Sequence, residues 1–503
     1  MYLPSPPTNE EQVLFLNSGR YKLYILSAVS TLLLVVGQIL FVIKNPQLIP
    51  ISILFFLTIF YIFISYLIGF LGKDFNYEKH RNLIAKWLHA SISQKLDIYL
   101  PVCGEPIEVL KNTWTYVYEL AKLHKGNLTV YVLDDGKSEV VRKESEGIGF
   151  KYITRENNEL KKAGNLRNAF KQTQGEFFVI FDADFCPDVT FLINTLPYLY
   201  EYPGVAIVQT PQFFSYNEGQ TSIQKGSGPI QELFYRLIQV NRNTFKGSIC
   251  VGTNAVYRRS SLEQFGGTAA IGYSEDVRTG FRLQNAKQNI EYIPLNLAKG
   301  ICPESLKQYF TQQYRWAMGS LDLFFSKEFW TSRLTKMQYL CYLTGMLYYL
   351  TTGLSVAMAF VPSIYLLIFK PEHIFWFNLM WSVPSLLLTN VYLRYWQKIR
   401  FTWAAVECRQ ISYYAHLFAV VDTIFNSAEE WIPTGSTVKS NRFNMFLRFT
   451  HIHLWTITIL ITTLVTYRAM TGYDIVNFIP IFLILIYYNL TILPIISEDQ
   501  SVQ

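Results

Sequence analysis

The chain changes polarity in blocks. Ile25–Ile43 and Leu48–Leu71 are almost unbroken apolar runs, and four more follow at Tyr339–Phe369, Ile374–Leu393, Phe446–Thr466 and Val476–Ile496. A helix needs ~20 apolar residues to cross hydrocarbon, so each run predicts a membrane span. Between the second and third runs the pattern mixes. From Leu96 to Asp184, "LDIYLPV", "LTVYVLDD", "FKYITR" and "EFFVIFDAD" are short and rich in β-branched and aromatic residues, with helix-like stretches at 106–125 and 158–172 between them. Strands alternating with helices predict a parallel α/β sheet. The plan is two spans, one soluble domain, four spans. In such sheets ligands bind outside the carboxyl ends of the strands. Two of these strands close on carboxylates there, Asp134–Asp135 and Asp182–Ala183–Asp184.

Composition agrees with a mixed architecture. Of 503 residues, 50% are hydrophobic and 16% charged, too apolar for an ordinary soluble protein and too charged for a pure membrane bundle. Arg20 and Lys22 precede the first run, Lys73, Lys79 and Arg81 follow the second, and basic residues crowd the segment from Arg394 to Arg442. The opposite-side loops carry only Lys44, Lys370 and Arg468. The positive-inside rule then places both termini and the soluble domain in the cytoplasm, and the net charge of +7 needs no nucleic acid to explain it. The first run is long and followed at once by a second, unlike a cleaved signal peptide. Six cysteines without a CxxC pair or zinc spacing read as reduced thiols.

Several motifs each have two readings. In "DAD" (182–184), two carboxylates leaving a strand can share a hard divalent cation beside a diphosphate, or simply start a turn. "LDDGKS" (133–138) offers a turn, or carboxylates for a base imide or ribose hydroxyls. In "KKAGNLRNAF" (161–170), Lys162 is a phosphate ligand or part of a solvated helix face. "YSEDVRTGFRL" (273–283) gives Ser274 as a helix N-cap with acids in the first turn, or Asp276 as a general base. "WIPTGSTVKSNR" (431–442) is an interfacial segment with Trp431 and basic anchors, or a loop that closes on a phosphorylated substrate. His451 and His453, at i and i+2, point to different sides of a helix and do not suggest a shared metal. In "QQYRWAMGS" (312–320), Arg315 and Trp316 either anchor the chain at the lipid interface or close over a ligand with phosphates and a flat apolar face.

The ordered set "VCGEP" (102–106), "DDG" (134–136), "KAGN" (162–165), "DAD", "VQTPQFF" (208–214), "CVGTNAVYRR" (250–259), "SED" (274–276) and "QQYRW" (312–316) resembles the membrane-integrated processive family-2 glycosyltransferases, among them cellulose, hyaluronan, chitin and curdlan-type synthases. The likeness covers residues 95–320 motif by motif and the flanking spans by architecture. It implies a Rossmann-like GT-A domain (95–320) between two N-terminal spans (1–94) and a region of interface helices, gating loop and four spans forming a channel (321–503). The resemblance further implies that Glu105, Asp134 and Asp135 hold the uridine, that Lys162 and Arg315 approach the diphosphate, that Asp182 lies near the donor, and that Asp184 binds Mg²⁺ or Mn²⁺. Asp276 would be the catalytic base. Cys250, Gly252, Thr253, Asn254 and Trp316 would face the acceptor, and Gln312 the donor. Trp431, Thr434, Thr437 and Lys439 would belong to the gating loop, although "WIPTGS" and "STVK" match neither family form fully. Ser274 stands where the family has Thr and is expected to cap the same helix.

Glycosyl transfer needs a stabilised diphosphate leaving group and a base near the incoming hydroxyl. One base with no carboxylate cast as nucleophile suits single displacement with inversion. The resemblance, with "VCGEP" and "VQTPQFF" in it, further implies a β-hexosyltransferase extending a β-glucan from UDP-glucose at the plasma membrane. Its expected partners are the UDP-sugar, the growing polysaccharide and membrane lipid. A synthase using UDP-N-acetylglucosamine, a non-processive lipid glycosyltransferase, and a transporter or inactive subunit are the alternatives. Paired aspartates on an α/β domain and the presence of Asp184, Asp276 and Arg315 speak against the last. No regulatory domain is expected after the final run.

Overall fold

The computed structural model describes residues 3–88, 94–124, 126–214, 217, 219–427 and 441–500. Among these residues ten strands form two sheets. β1 (Leu96–Val102), β2 (Leu128–Asp134), β3 (Lys151–Ile153), β4 (Phe177–Ile180), β6 (Val205–Gln209), β8 (Ala255–Arg258) and β9 (Asn289–Tyr292) make a seven-stranded sheet in the order β3-β2-β1-β4-β8-β6-β9. β5 (Phe185–Pro187), β7 (Phe213–Phe214) and β10 (Ala298–Gly300) make a small second sheet in the order β5-β10-β7. Every residue of β1 is buried, as expected where helices cover both faces of a sheet.

The expected parallel arrangement holds for β3, β2, β1 and β4. It fails at β8, which runs antiparallel to both β4 and β6. The sheet is therefore mixed. That reversal matters, because it brings the residues preceding β8, Cys250 to Asn254, to the same edge as the carboxyl end of β4. In β1 and β2, Val102 sits opposite Asp134. β5 begins directly after Asp184 and pairs antiparallel with β10, so the DAD segment is held at both ends.

Among the described residues, five helices are long and apolar enough to cross a membrane: Arg20–Lys44, Ser52–Leu71, Lys336–Phe369, Asn441–Met470 and Ile475–Ser497. The sixth expected run, Ile374–Leu393, is not one helix. It is divided among a 3₁₀ turn (Trp376–Trp381), a short α-helix (Val383–Leu387) and a π-helical turn (Leu388–Tyr392). Pro384, at the start of the α-helical piece, has no N–H to give and crowds the preceding turn. The segment packs closely on the first long helix, where a Cβ on Gly37 would lie 2.6 Å from Trp381.

One helix was not anticipated. Trp403–Phe425 runs for 23 residues and buries Cys408, Ile411, Tyr414, Ala415, Ala419 and Val420. Glu407, Arg409 and Asp422 interrupt its apolar run, so it reads as neither a span nor an amphipathic surface helix. It packs on the helix Leu306–Phe325, with Tyr309 Oη donating to the Cys408 carbonyl at 3.0 Å and Tyr314 Oη to Asp422 Oδ2 at 2.6 Å.

Candidate active site

The helix Leu306–Phe325 is capped by Ser305, whose Oγ accepts from Gln308 N. It buries Tyr309, Phe310, Tyr314, Ala317, Met318 and Leu321. Gln312, Arg315, Trp316 and Gly319 follow the i, i+3, i+4, i+7 spacing of one stripe, and that stripe meets the soluble domain. A Cβ on Gly319 would lie 2.1 Å from Ser274 Oγ, a contact only glycine allows. Ser274 Oγ donates to the Arg315 carbonyl at 3.3 Å. Below this contact Arg278 ion-pairs with both Asp322 and Glu328, fixing the Glu275–Asn285 helix to the Arg315 helix.

Ser274 does not cap its helix. Its backbone is left-handed, with φ +45°, and its side chain makes no capping bond; the hydroxyl is instead turned to Arg315. A left-handed serine cannot aim Oγ back at the first-turn N–H groups, so the expected cap is replaced by an inter-helix tie. Two residues on, Asp276 lies against the loop before β8. Gly252 has φ +76°, and a Cβ there would come within 2.9 Å of Asp276 Oδ2. Val277 N donates to Asp276 Oδ1 at 2.9 Å. Burial, with Glu275 adding to it, pushes the Asp276 carboxyl up to about 7, although Lys162 draws it back down.

Lys162 is the hub. Its Nζ ion-pairs with Asp182 Oδ1 and donates to the Gly252 carbonyl at 3.2 Å. Burial opposes its charge, yet Asp182, Glu275 and Asp276 together hold it above its ordinary value. Asp182 N donates to Thr253 Oγ1 at 2.9 Å, joining DAD to the β8 loop. The Asp184 carboxyl is pushed up to about 7 by burial, with Asp182 and Glu105 adding to it. Glu105 is raised by burial too, although Cys103 N donates to it at 2.6 Å. Burial lowers Arg315 from its usual value while Glu275, Asp182 and Asp276 hold it up. Gln312 Oε1 is buried with no hydrogen-bond partner among the described residues. Trp316 is half-buried on the same stripe.

Other expected site residues are turned inward. Asp134 Oδ1 accepts from Gly136 N at 2.7 Å, and its Oδ2 from Ser138 N at 2.8 Å and Tyr152 Oη at 2.9 Å. Asp135 accepts two bonds from Arg155, Nε and Nη2, each at 2.7 Å. Cys250 is fully buried with Sγ 3.2 Å from Tyr257 Oη. Thr253 and Asn254 are also fully buried, and Asn254, at φ +54°, donates to the Pro211 carbonyl. Of this group Gly252 lies against the Asp276 carboxylate and Thr253 against the Asp182 backbone. Trp431, Thr434, Thr437 and Lys439 lie outside the described residues.

Two contributors were not singled out from the sequence. Gln209, ending β6, donates to the Thr253 carbonyl at 2.8 Å and accepts from Val251 N at 3.0 Å, holding the loop under Asp276; its place inside "VQTPQFF" was the available signal. Asp422 receives Tyr314 at 2.6 Å, Ser427 Oγ at 2.9 Å and an ion pair from Arg442 at 2.8 Å. It ties Tyr314, the neighbour of Arg315, to both ends of the 428–440 segment. Nothing local in sequence reports that contact.

Among the described residues no group of three His, Cys, Asp or Glu side chains is gathered to hold an ion alone. The donor set present is two hard carboxylates, one of them raised by burial and by its acidic neighbours, with a lysine and an arginine close by. That set fits a divalent cation whose remaining ligands come from a diphosphate.

A sheet ending in a DAD segment, with a lysine, a buried aspartate and a cationic helix stripe around it, is the layout of a GT-A glycosyltransferase domain. Residues 97–266 match the family described as Glycosyl transferase family 2, and residues 267–482 match that described as Cellulose synthase. The two matches adjoin and together span residues 97–482. It is 32% identical over 261 residues to a cellulose synthase catalytic subunit [UDP-forming] of Pseudomonas fluorescens, covering 50% of this chain and 35% of that protein. It is 31% identical over 255 residues to cellulose synthase 1 catalytic subunit [UDP-forming] of Komagataeibacter xylinus, covering 50% and 34%. The chain therefore spans about a third of the length of these two relatives and about a sixth of longer ones. A mannosyltransferase from Pyrobaculum calidifontis, solved in complex with GDP-Man and Mn²⁺, shares the fold with a TM-score of 0.52 at 16% identity, covering 75% of this chain and 99% of that one.

Proposed function

We propose that this protein is a processive, inverting glycosyltransferase that builds a β-linked glucan from UDP-glucose on the cytosolic face of the plasma membrane and passes it out through its apolar helices. In this reading residues 1–94 supply two spans, 95–320 the transferase domain, and 321–503 interface helices and four spans, the broken stretch 374–396 completing the count. The carrying observation is that Asp182, Asp184, Lys162, Asp276 and Arg315 gather at one sheet edge, beside the helix Leu306–Phe325 that carries Arg315.

Each group has a role in that reaction. Asp184, with Asp182 beside it, holds Mg²⁺ or Mn²⁺; when bound, the cation offsets negative charge gathering on the diphosphate. Lys162 and Arg315 place two further positive charges beside the same leaving group. Asp134 and Asp135, engaged within their own loop, shape the floor under the uridine, and Glu105 stands beside it. Asp276 takes the proton from the acceptor hydroxyl. A carboxyl raised to about 7 is matched to that task at neutral pH. Gly252, lacking a side chain, leaves the acceptor's approach to Asp276 open, while Cys250, Thr253 and Asn254 form the buried frame of the loop. Trp316 offers a flat face to the terminal sugar, and Gln312 a carbonyl to a donor hydroxyl. With Asp276 as the one base and no carboxylate cast as nucleophile, an α-linked donor yields a β-linked product.

The test is UDP release by detergent-purified protein given UDP-glucose, UDP-N-acetylglucosamine or UDP-glucuronate with Mg²⁺ or Mn²⁺. UDP-glucose alone is expected to support release and a product that a β-glucanase digests. Asp276→Asn is expected to lower kcat by roughly 10²–10⁴-fold with donor KM little changed. Equal UDP release by that variant would remove Asp276 from the mechanism.

A further inference from the structure

A second cavity lies away from the catalytic edge, where the helix Ile49–Leu71 leaves its apolar stretch. It has a volume of about 430 Å³ and is enclosed by residues 73–83, the 243–246 turn and the edge strand β9. Three lysines line it, Lys73, Lys79 and Lys246, and none of them forms an ion pair among the described residues. Two carboxylates, Asp74 and Glu291, line it as well. Asp74 takes Ser18 Oγ at 2.5 Å and faces Arg20 at 3.7 Å, while Glu291 accepts from Asn243 Nδ2 at 2.9 Å. His80, on the same wall, has both ring nitrogens bonded, to Tyr198 and Asn194, and burial lowers its pKa. With Asp74 shared with Arg20 and Glu291 facing Lys79 and Lys246, the three lysines outnumber the two lining carboxylates and the cavity keeps an excess of positive charge.

Its frame is built rather than incidental. Lys73 N donates to Thr244 Oγ1 at 2.8 Å, and Gln338 Nε2 donates to the Lys246 carbonyl at 2.9 Å. Lys246 itself sits at φ +55°, at the tip of a tight turn. The rim is thus pinned to the long helix beginning at Lys336. Beneath the lysines the floor is apolar, with Leu83, Val205 and Val240. Leu67, Phe70 and Leu71, the last turns of the adjoining helix, are exposed, and an acyl chain can lie along them.

We propose that this cavity binds the headgroup phosphate of an anionic phospholipid from the cytoplasmic leaflet. Three lysines favour a phosphodiester over a neutral sugar. The volume admits a headgroup but not a polymer. The position two residues beyond the end of an apolar helix sets the site at headgroup depth, so the inference rests on that helix being a span. It does not depend on the catalytic assignment.

The experiment is native mass spectrometry of the full-length protein in a neutral detergent, titrated with phosphatidylglycerol, with phosphatidylcholine, and separately with inorganic phosphate. Wild type is expected to retain phosphatidylglycerol at least tenfold better than phosphatidylcholine. The triple variant Lys73→Gln, Lys79→Gln, Lys246→Gln is expected to lose that preference, at about fivefold per lysine near the surface. Lys79→Glu, a single change at an exposed position, is the second variant and should weaken phosphatidylglycerol binding alone. Unchanged lipid preference in both variants would overturn the site. Equal retention of inorganic phosphate and lipid would overturn the lipid assignment in favour of a soluble anion.

Discussion

Asp134–Asp135 and Asp182–Asp184 look alike in sequence. Both pairs end apolar strands, and those strands, β2 and β4, flank β1 on either side. Their surroundings differ. The first pair is satisfied locally, Asp134 by two backbone N–H groups and Tyr152, Asp135 by the two-pronged grip of Arg155. The second has one lysine for Asp182 and, among the described residues, no side-chain donor for Asp184, which burial and its acidic neighbours push up to about 7. A carboxylate with its donors in the next twenty residues becomes framework. One left among other carboxylates stores charge that only a cation from outside can relieve.

The sharpest way to break this contrast is Asp184→Asn. If Asp184 stores charge for a cation, activity should fall by several kcal/mol in the transition state, on the order of 10³-fold. Stability at pH 8 should nonetheless rise by about 1–3 kcal/mol, because a buried repulsion has been removed. Thermal unfolding read beside UDP release tests both signs. A loss of stability would mean that Asp184 is framework like Asp135.

Next in size is Arg155→Ala. Asp135 is buried, with its side chain 4% exposed, and removing its partner strands a charge. The expected cost is about 3–5 kcal/mol of stability, read from denaturant midpoints, with donor KM little changed in the fraction that folds. A stable variant that fails to bind donor would place Asp135 with Asp184 rather than against it.

How far these differences could be read from sequence depends on range. The first four strands, the mixed-polarity domain and five of six apolar helices follow from local pattern, since burial on both faces leaves near-continuous apolar runs. The Asp184 cluster was legible as a motif because strand ends collect ligands. Its inward-turned twin was not, since "DDG" does not report that Arg155 returns to it. Nor could Ser274 be recognised as left-handed: Ser-Glu-Asp is a good capping sequence, and what overrides it is Gly319, 45 positions later, making room for the hydroxyl. The Trp403–Phe425 helix escaped for a related reason. Its buried charges, such as Asp422, are satisfied by Tyr314 and Arg442, partners that periodicity cannot supply. Pro384 was visible, but its effect on a long apolar run is to divide it, which hydropathy alone does not register.

The pH dependence is the third test and spans a smaller range. Asp184 and Asp276 both rise from an ordinary 3.8 to about 7 in the fold. The folded state therefore binds more protons than the unfolded chain between about pH 4 and pH 7. Their contribution to stability is full below pH 4 and is lost as pH rises through about 7. Activity should move the other way, since Asp276 must be ionised to act as base and a proton competes with metal at Asp184. Below pH 7, apparent Mn²⁺ affinity is expected to gain about tenfold per pH unit, measured by titration beside a kcat/KM profile. Asp184→Asn should flatten the metal slope and leave the Asp276 limb of the rate profile. A metal affinity independent of pH between 5 and 7 would contradict the raised Asp184.

The smallest effect separates two serines that a sequence reader would treat alike. Ser138 follows the Asp134–Asp135 loop and caps its helix, with Val141 N donating to its Oγ across a long 3.4 Å. Ser274 occupies the same position on the Asp276 helix but makes no cap, and its hydroxyl goes to the Arg315 carbonyl. Ser138→Ala should therefore cost about 0.5–1 kcal/mol of stability, the lower part of the usual capping range, with kcat unchanged. Ser274→Ala removes one hydrogen bond between the helices that carry the base and the arginine, about 0.5–1.5 kcal/mol. Its consequence should appear in kcat, as a several-fold loss, because the tie sets Asp276 against Arg315 rather than holding a helix end closed. Ser274→Gly supplies the discriminating control. It keeps the left-handed backbone without strain but still lacks the hydroxyl, so it should reproduce the kcat loss of the alanine variant. If glycine instead restored full turnover, the left-handed turn alone would position Asp276, and the bond to Arg315 would be incidental.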